Sequence, residues 1–324
     1  GEAGHYTVDV KVKPRHVNDK CTACGKCTDA ATTEVDNPFN FGMNKVKAAY
    51  LPHPMAFPYQ FVIDPSVVGT DEGKAIADAC EYGAVELDMA EQTVTLEVGS
   101  IVWATGWEPF DPKNVAYYHF DQHPDVITNM QMERLAAIEG PTGGKILKPS
   151  DGEAPKHVAF VQCAGSRDTN HLPYCSGVCC MASLKQTNYV LEQYPDAKVT
   201  MFYIDIRALD RLEDFYANVK EAGKVEFIKS KVAGIQAKDG KLLLIGEDTE
   251  KAERYKVEAD MVVLATGLVP DTATNKIPVE TEYDEYGFVA GPPEGIYSAG
   301  CARRPADVSS SVQEGTAAAM RAIQ

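Results

Sequence analysis

Apolar residues along the chain follow the periods of strands, with one clear helix between two of them. Residues 4–17, GHYTVDVKVKPRHV, alternate apolar and polar positions as a strand in the middle of a sheet does. Residues 156–162, KHVAFVQ, and 197–207, AKVTMFYIDIR, are typical of buried strands, and SLKQTNYVLEQYP between them predicts a helix. A strand, a helix and a second buried strand predict a βαβ unit and an α/β fold.

Two strand-to-turn junctions share one design. Residues 93–112, TVTLEVGSIVWATGWEPFDP, contain an alternating strand, a turn and an apolar strand that ends in Ala-Thr-Gly, and residues 255–271, YKVEADMVVLATGLVPD, repeat it. The chain closes at 295–320 with GIYSAGCARRPADVSSSVQEGTAAAM, a strand, a small-residue turn and an Ala-rich helix whose N-terminus could face a flavin. Together these segments resemble flavoproteins of the thioredoxin reductase type, which have two dinucleotide-binding domains.

That resemblance implies FAD at these turns. The cofactor-binding residues are then Thr105, Gly106, Thr266, Gly267, Ala299, Gly300, Cys301 and Val308. In the family the last turn is usually Ala-Gly-Asp, with the aspartate holding the ribityl chain, whereas this chain has cysteine there. The usual strand, G-x-G-x-x-G turn and helix for the adenosine half of FAD is not found, so we expect an FAD-binding βαβ unit to be missing upstream.

Composition limits the protein's surroundings. The 324 residues are 44% hydrophobic, enough for two domain-sized cores, and no apolar run reaches the roughly 18 residues of a membrane span. With 31 basic and 47 acidic residues, the net charge of −16 repels nucleic acid. No secretory signal is found, so we expect a cytoplasmic protein, where clustered cysteines are more often metal ligands than disulfides.

The first group of cysteines is CTACGKC at residues 21–27, and the small Gly25 lets the backbone wrap closely around a ligand. Three thiolates at intervals of three suit three corners of a [4Fe–4S] cluster, although zinc or inert thiols are the alternatives. A bacterial ferredoxin would continue with a fourth cysteine where this chain has Ala31. We therefore expect Cys21, Cys24, Cys27 and the remote Cys80 to hold one cluster in a degenerate ferredoxin-like insert.

The second group lies in the strand-to-helix turn of the βαβ unit, QCAGSRDTNHLPYCSGVCCM at residues 162–181. A thioredoxin reductase would have a Gly-rich loop for NAD(P) pyrophosphate there, so the nicotinamide site is expected to be replaced. Four soft thiolates suit iron–sulfur over magnesium or calcium, while spacing alone also allows structural or redox thiols. The candidate ligands are Cys163, Cys175, Cys179 and Cys180.

The segments QCAGSRD and LPYCSGVCCMASLKQ resemble the signature of the A subunit of heterodisulfide reductase and its relatives. In that family these four cysteines hold a [4Fe–4S] cluster within the thioredoxin-reductase-like domain, so the resemblance implies FAD and two such clusters. The similarity extends over nearly the whole chain, including NVAYYHFDQHPDVITNMQMERL and GPTGGKILKPSDGEAPKHVAF.

Two departures from the pattern of this family indicate which of its members the chain most resembles. The ferredoxin-like insert lacks the cysteines that would bind a second cluster. In addition, no pair of ferredoxin motifs follows Gln324. With NPFNFGMNKVKAAYLPHPMAFPYQFVIDP, the chain is most similar to the A subunit of the quinone-interacting membrane-bound oxidoreductase complex of sulfate reducers. This implies an electron relay between membrane quinones and adenylylsulfate reductase. The implied partners are a membrane subunit plus a second subunit with flavin and iron–sulfur clusters, which would hold this protein peripherally at the inner membrane.

These expectations divide the chain into five segments. They are a partial FAD-domain strand (1–14), the degenerate ferredoxin-like insert (15–90), the continuation of the FAD domain with a linker (91–150), the NAD-domain-like unit with the Cys-rich loop (151–270) and a C-terminal FAD-domain segment (271–324). Two other functions stay open. One is an electron-bifurcating subunit of the heterodisulfide reductase type, and the other is a non-catalytic scaffold that has lost its flavin.

Overall fold

The computed structural model describes residues 1–209, 211–238 and 240–324. It contains two compact units. The larger unit comprises residues 1–6, 99–138 and 142–324, and the smaller comprises 7–98 with 139–141.

The strands and helices of the described residues fall into two runs along the chain. Up to residue 98 they are β1 (Tyr6–Val12), α1 (Lys26–Ala30), β2 (Glu34–Asp36), β3 (Lys45–Lys47), β4 (Ala49–Tyr50), β5 (Val62–Ile63), α2 (Asp71–Asp78) and β6 (Gln92–Val98). After residue 98 they are β7 (Ile101–Trp103), β8 (Trp107–Pro109), β9 (Val126–Thr128), α3 (Asn129–Ala136), β10 (His157–Ala164), α4 (Cys179–Gln193), β11 (Lys198–Tyr203), α5 (Leu212–Glu221), β12 (Val225–Lys229), β13 (Gly234–Lys238), β14 (Lys241–Asp248), β15 (Glu253–Ala259), β16 (Met261–Thr266), β17 (Leu268–Pro270), β18 (Glu282–Tyr283), β19 (Val289–Gly291), β20 (Ile296–Ser298) and α6 (Val308–Ile323).

The smaller unit consists of short hairpins and two short helices around a compact core. Strands β2 and β3 pair antiparallel, as do β4 and β5. Helix α2 begins at Thr70, whose side chain accepts a hydrogen bond from the backbone N–H of Gly73 at 3.1 Å. The core includes Val17, Ile63 and Ile76 together with Cys27, so folding of this unit buries part of its cysteine group.

A five-stranded sheet is the centre of the larger unit. Its order is β12-β11-β10-β16-β9, and every neighbouring pair is parallel. Every residue of β10 from Val158 to Ala164 is buried, which explains the continuous apolar run in the sequence. The prediction of an α/β fold built on a parallel sheet is confirmed, as is the βαβ unit formed by β10, α4 and β11.

The strand order reverses at β10. Strands β11 and β12 lie on one side of it, whereas β16 and β9 lie on the other. The carboxyl ends of β10 and β16 therefore border a topological switch point, where doubly wound α/β sheets bind their ligands. Cys163 lies near the end of β10, and Thr266 ends β16.

A separate pair of parallel strands positions the C-terminal helix. Strand β20 pairs with β7 in the register Ile296 to Ile101, and α6 follows after a short 3-10 turn at Gly300–Ala302. The side chain of Asp307 caps α6 by accepting from the backbone N–H of Ser310 at 2.7 Å. The sequence correctly predicted this strand, turn and helix.

The placement of the first strand differs from the expectation. In the part of the chain that the structure describes, β1 pairs only with β6, in a two-stranded ribbon, instead of lying in the middle of a sheet. Five of its seven residues are exposed, including Val10 and Val12. Alternation by itself does not report how many neighbours a strand has, and this is why the prediction was wrong.

Among the described residues, no helix has the length and apolar character needed to cross a membrane.

Replacing Ile76 with alanine should destabilise the smaller unit by about 2–5 kcal/mol, because its side chain is fully buried and the change leaves a cavity. Asp78→Ala, at an exposed position on the same helix, is the control and should change stability by about 0.5 kcal/mol or less. Denaturant unfolding of both variants, followed by circular dichroism, measures the difference. Equal stabilities would show that Ile76 contributes nothing to this core.

Candidate functional site: two thiol groups and a cleft

The smaller unit brings its four cysteines to one cavity. Its wall includes the sulfur-bearing side chains of Cys21, Cys24, Cys27 and Cys80. Gly25, with a φ of +84°, makes the left-handed turn that starts α1 and brings Cys27 back toward Cys24. Remote Cys80 thus lies at the same cavity as the triplet, and its role as a cluster ligand stays a prediction.

Backbone N–H groups point at two of these sulfurs. Ala23 N donates to Cys21 Sγ at 3.4 Å, and Ala84 N donates to Cys80 Sγ at 3.3 Å. Hydrogen bonds of this kind stabilise negative charge on sulfur and tune the potential of iron–sulfur clusters. Burial raises the pKa of the Cys27 thiol, so deprotonation there requires a compensating cation. A cavity lined by four thiols and amide donors fits a [4Fe–4S] cluster, for which Cys21, Cys24, Cys27 and Cys80 are the ligands we infer.

In the larger unit, three of the other four predicted ligands lie on the strand and the helix of the βαβ unit. Cys163 lies at the bulge near the end of β10 and has a left-handed φ of +56°. Cys179 and Cys180 are the first two residues of α4, where no side-chain cap is found among the described residues. The free N–H groups of that first turn favour negative charge on the adjacent thiols.

The fourth ligand, Cys175, is fixed by its neighbours. The hydroxyl of Tyr174 donates to the carbonyl of Leu268 at 2.8 Å, and the N–H of Leu268 donates to Ser176 Oγ at 2.9 Å. Cys175 Sγ itself accepts from the backbone N–H of Gly177 at 3.4 Å. These bonds fasten the Cys-rich loop to the strand that follows β16.

The four thiols of the larger unit are close enough for their charges to interact. Burial raises the pKa of Cys163 to about 11, and Cys180, Arg167 and Cys175 act on it as well. Burial also raises the pKa of Cys179, reinforced by Cys180, Cys163 and Cys175. Cys179 Sγ lies 3.4 Å from the carbonyl oxygen of Thr266 at the switch point.

Two buried polar side chains beside this group have no hydrogen-bond partner among the described residues. They are Gln162, at both ends of its amide, and the hydroxyl of Ser166. Unpaired buried polar atoms cost about 1–3 kcal/mol each, so a bound group with acceptor atoms would relieve the part of this cost that comes from the Gln162 Nε2 and Ser166 hydroxyl donors. Sulfide and thiolate are such acceptors. The donors and the four thiols together fit an iron–sulfur cluster.

The described residues include no group of three or more His, Cys, Asp or Glu side chains arranged around a single metal ion. A bound zinc ion would draw four ligands to about 2.0–2.3 Å from one point. A cubane accepts each thiolate on a different iron and therefore keeps the sulfurs further apart. A [4Fe–4S] cluster at each group of four thiols is the arrangement that we infer from their chemistry.

A cleft of about 430 Å³ collects most of the predicted flavin-binding residues. Gly106, Ala299, Gly300, Cys301 and Val308 line it. Its volume is within the range of small-molecule and cofactor sites. Thr105 directly precedes Gly106 at the end of the same junction. Ends of two parallel strands and the start of α6 meet here, which fits part of a flavin.

Two other residues of the cleft were missed by sequence reasoning. Trp107 adds an aromatic wall, and Asp307 lines the cleft where α6 begins. Hydrogen bonds from Ser310 hold the pKa of Asp307 below its usual range, so it is an anion at neutral pH. The pattern Asp-x-x-Ser before an Ala-rich helix was a capping signal that could have identified Asp307.

Thr266 and Gly267 lie elsewhere. They do not line the flavin cleft among the residues that the structure describes there, although they were predicted to bind the cofactor. Thr266 Oγ1 donates to Asn129 Oδ1 at 3.1 Å, and a Cβ on Gly267 would meet Ser166 Oγ at 2.1 Å. The second Ala-Thr-Gly junction therefore supports the thiol group of the larger unit, and glycine is needed there for close packing.

Comparison with known proteins identifies relatives over the full length of this chain. The A subunit of the ferredoxin/F(420)H(2)-dependent CoB-CoM heterodisulfide reductase of Methanosarcina acetivorans is 39% identical over 100% of this chain and 43% of its own length. The A subunit of the H(2):CoB-CoM heterodisulfide,ferredoxin reductase of Methanothermobacter marburgensis is 37% identical over 99% of this chain and 51% of its own. The chain is homologous to the A subunits of heterodisulfide reductases. Its homologues are oxidoreductase subunits, as the sequence analysis expected.

The chain spans about half the length of these curated relatives. No family model matches it. Among solved structures, the thioredoxin reductase of T. acidophilum aligns with 72% of this chain and 68% of its own at 16% identity and a TM-score of 0.46. The Lactococcus lactis thioredoxin reductase aligns with 85% of this chain and 84% of its own at 14% identity and a TM-score of 0.45.

Cys80→Ser should remove the cluster of the smaller unit, because a cubane needs four corner ligands and Ala31 cannot supply one. Iron and labile sulfide should fall by about half in anaerobically purified protein. Cys301→Ser is the control, since this ninth cysteine is buried in the flavin cleft, away from both groups of thiols, and its loss should leave iron unchanged. Full iron content in Cys80→Ser would contradict its role as a ligand.

Proposed function

We propose that this chain is the FAD and iron–sulfur electron-transfer part of an A subunit of the heterodisulfide reductase type. One observation carries the proposal. Four thiols, Cys163, Cys175, Cys179 and Cys180, lie at the switch point of the parallel sheet, in the strand-to-helix turn where a dinucleotide pyrophosphate would bind. Electrons then enter or leave the flavin through iron instead of as hydride.

The protein's own residues hold and insulate these groups. Cys163 is only 7% exposed and Cys179 only 9%, so water has little access to their sulfurs. The loop fastened by Tyr174 and Ser176 keeps Cys175 in place. Bound FAD supplies exchange of one or two electrons, and the clusters supply exchange of one. No protein general base is required for such a relay.

The names of the homologues indicate the type of complex that we propose for this chain. They are subunits of CoB-CoM heterodisulfide reductases, and two of the names include ferredoxin or H(2) as a second redox partner. Other subunits that reduce a heterodisulfide are therefore the partners that the comparisons favour. An electron-bifurcating role in such a complex is better supported by these homologues than a role in sulfate respiration.

A second candidate function is supported by the cysteines of the smaller unit. Residues 7–98 contain only four cysteines, Cys21, Cys24, Cys27 and Cys80, and hence ligands for a single cluster. This departure supports the A subunit of a quinone-interacting membrane-bound oxidoreductase, held peripherally at the membrane by its partners, with adenylylsulfate reductase as the acceptor or donor. Reoxidation of the reduced protein by a heterodisulfide-reducing partner, but not by adenylylsulfate reductase, would decide for the first candidate.

Cys179→Ala in the full-length protein tests the proposed function. It should remove the cluster of the larger unit while flavin content stays nearly unchanged, because Cys179 lines no part of the flavin cleft among the described residues. Losing the cluster should also loosen the junction of β10 and α4, since metal-binding energy is partly folding energy. A loss of about 2 kcal/mol lowers Tm by roughly 4–8 °C in a domain of this size.

The control for that variant is Met181→Ala, two residues further along α4. Iron, sulfide, the oxidised-flavin absorbance bands and Tm are measured for both, and then the rate of flavin reoxidation by partner subunits. A Cys179→Ala protein with full iron content and unchanged electron transfer would mean that these thiols are structural. Absence of the flavin bands in wild-type full-length protein would instead favour the third possibility, a non-catalytic scaffold that has lost its flavin.

NADH and NADPH should not reduce this protein directly, because cysteines occupy the loop that would bind their pyrophosphate. Anaerobic, flavin-replete protein mixed with excess NADH or NADPH should keep its visible flavin band for many seconds. Dithionite is the positive control for a reducible flavin. Rapid bleaching by either nucleotide with no partner protein present would overturn this prediction.

A further inference from the structure

Arg167 lies in the Cys-rich loop and is held in a defined position. Its backbone has a left-handed φ of +55°, and its N–H donates to the carbonyl of Tyr174, the neighbour of Cys175, at 3.2 Å. Its Nη1 donates to Asp205 Oδ1 at 2.7 Å, and the Arg167 side chain is only 22% exposed. A non-glycine residue in this backbone region is uncommon and persists where the surroundings require it.

The charges of this pair act directly on the thiols. The positive charge of Arg167 lowers the pKa of Cys163 and of Cys180, in both cases against the larger effect of burial, which raises it. On the other side, Cys180 Sγ lies 3.9 Å from the backbone oxygen of Asp205. One cation and one carboxylate, bonded to each other, thus lie beside two of the four inferred ligands.

Stability does not explain the pair well. An ion pair whose carboxylate side chain is 47% exposed contributes about 0–1 kcal/mol, too little to require a left-handed arginine. Two other cations lie around the loop. Lys231 bonds Asp168 at 2.5 Å, and Arg207 Nε donates a longer bond, of 3.2 Å, to the same Asp205 Oδ1. Arg167 makes the shorter of the two bonds to Asp205, the residue whose backbone oxygen lies 3.9 Å from Cys180 Sγ.

We propose that the Arg167–Asp205 pair sets the reduction potential of the cluster held by Cys163, Cys175, Cys179 and Cys180. Reduction adds an electron to a site already surrounded by thiolates, so a fixed positive charge beside these thiols favours the reduced state. The Asp205 carboxylate partly neutralises that charge and limits the effect. The two residues are positioning residues with opposite influence, and the inference rests on the proposed cluster.

The opposite signs make a direct test. Arg167→Gln should shift the midpoint potential of this cluster to a more negative value, and Arg167→Lys should shift it less, because lysine keeps the charge but lacks the planar guanidinium that donates to Asp205. Asp205→Asn should shift it to a more positive value. We expect about a tenfold change in the ratio of reduced to oxidised cluster at fixed potential for Arg167→Gln, equivalent to about 59 mV for one electron.

The experiment is an anaerobic redox titration of the full-length protein, followed by low-temperature electron paramagnetic resonance, with iron and flavin contents measured in parallel. Arg254→Gln is the control, because it removes the same charge from an exposed position on β15. The Cys179→Ala protein identifies which resonance belongs to this cluster. Shifts of opposite sign in Arg167→Gln and Asp205→Asn, with none in Arg254→Gln, support the proposal.

Two kinds of failure are distinguishable. If Cys179→Ala removes no resonance, the proposed cluster itself is absent and the inference falls with it. If the resonance is present but its potential is the same in wild type, Arg167→Gln and Asp205→Asn, only the role of the pair is wrong. Should Arg167→Gln fail to assemble the cluster, Asp205→Asn decides, because an unchanged potential there overturns the proposal and a positive shift upholds it.

Discussion

Burial of thiols at the switch point of the parallel sheet is the constraint on which the larger unit depends. Burial raises the pKa of Cys163, Cys179 and Cys180, so each would remain protonated at neutral pH without compensation. Four thiolates in such a place require cations, and the iron of the cluster that we propose would supply them. The left-handed residues of the loop and the start of α4 are consistent with a backbone shaped around such a group.

The fold was largely predictable because buried parallel strands are continuous apolar runs in the sequence. Residues 158–164 are buried on both faces of β10, and no surface constraint interrupts the apolar run. For β1, the prediction of a central strand was wrong because most of its residues, like those of its partner β6, are exposed. Alternation of apolar and polar residues does not report how many neighbouring strands a strand has. Pairing of β7 with β20 joins residues about two hundred positions apart, and local patterns cannot report such contacts.

The candidate sites were predictable to different degrees. Cysteine spacing indicated a cluster at Cys21, Cys24, Cys27 and Cys80, whereas for the second thiol group the resemblance to the heterodisulfide reductase A subunit was needed as well. The flavin residues were harder, since two similar Ala-Thr-Gly junctions suggested one role for both. Gly106 lines the cleft, whereas Gly267 packs against Ser166 beside the thiols. The difference arises from the strands that carry them: β7 belongs to the pair with β20, and β16 to the five-stranded sheet.

The second junction suggests how one scaffold accommodates iron in place of a nicotinamide. A parallel sheet with a reversed strand order leaves a crevice at its carboxyl edge whatever ligand occupies it. A pyrophosphate needs glycines and free N–H groups at that edge, whereas a cluster needs thiols, buried donors and a balanced local charge. Here Gly267 still permits close approach, α4 still offers its first N–H groups, and Arg167 with Asp205 supplies the charges. The crevice and the helix terminus thus serve either ligand, and the loop between β10 and α4 determines which one binds.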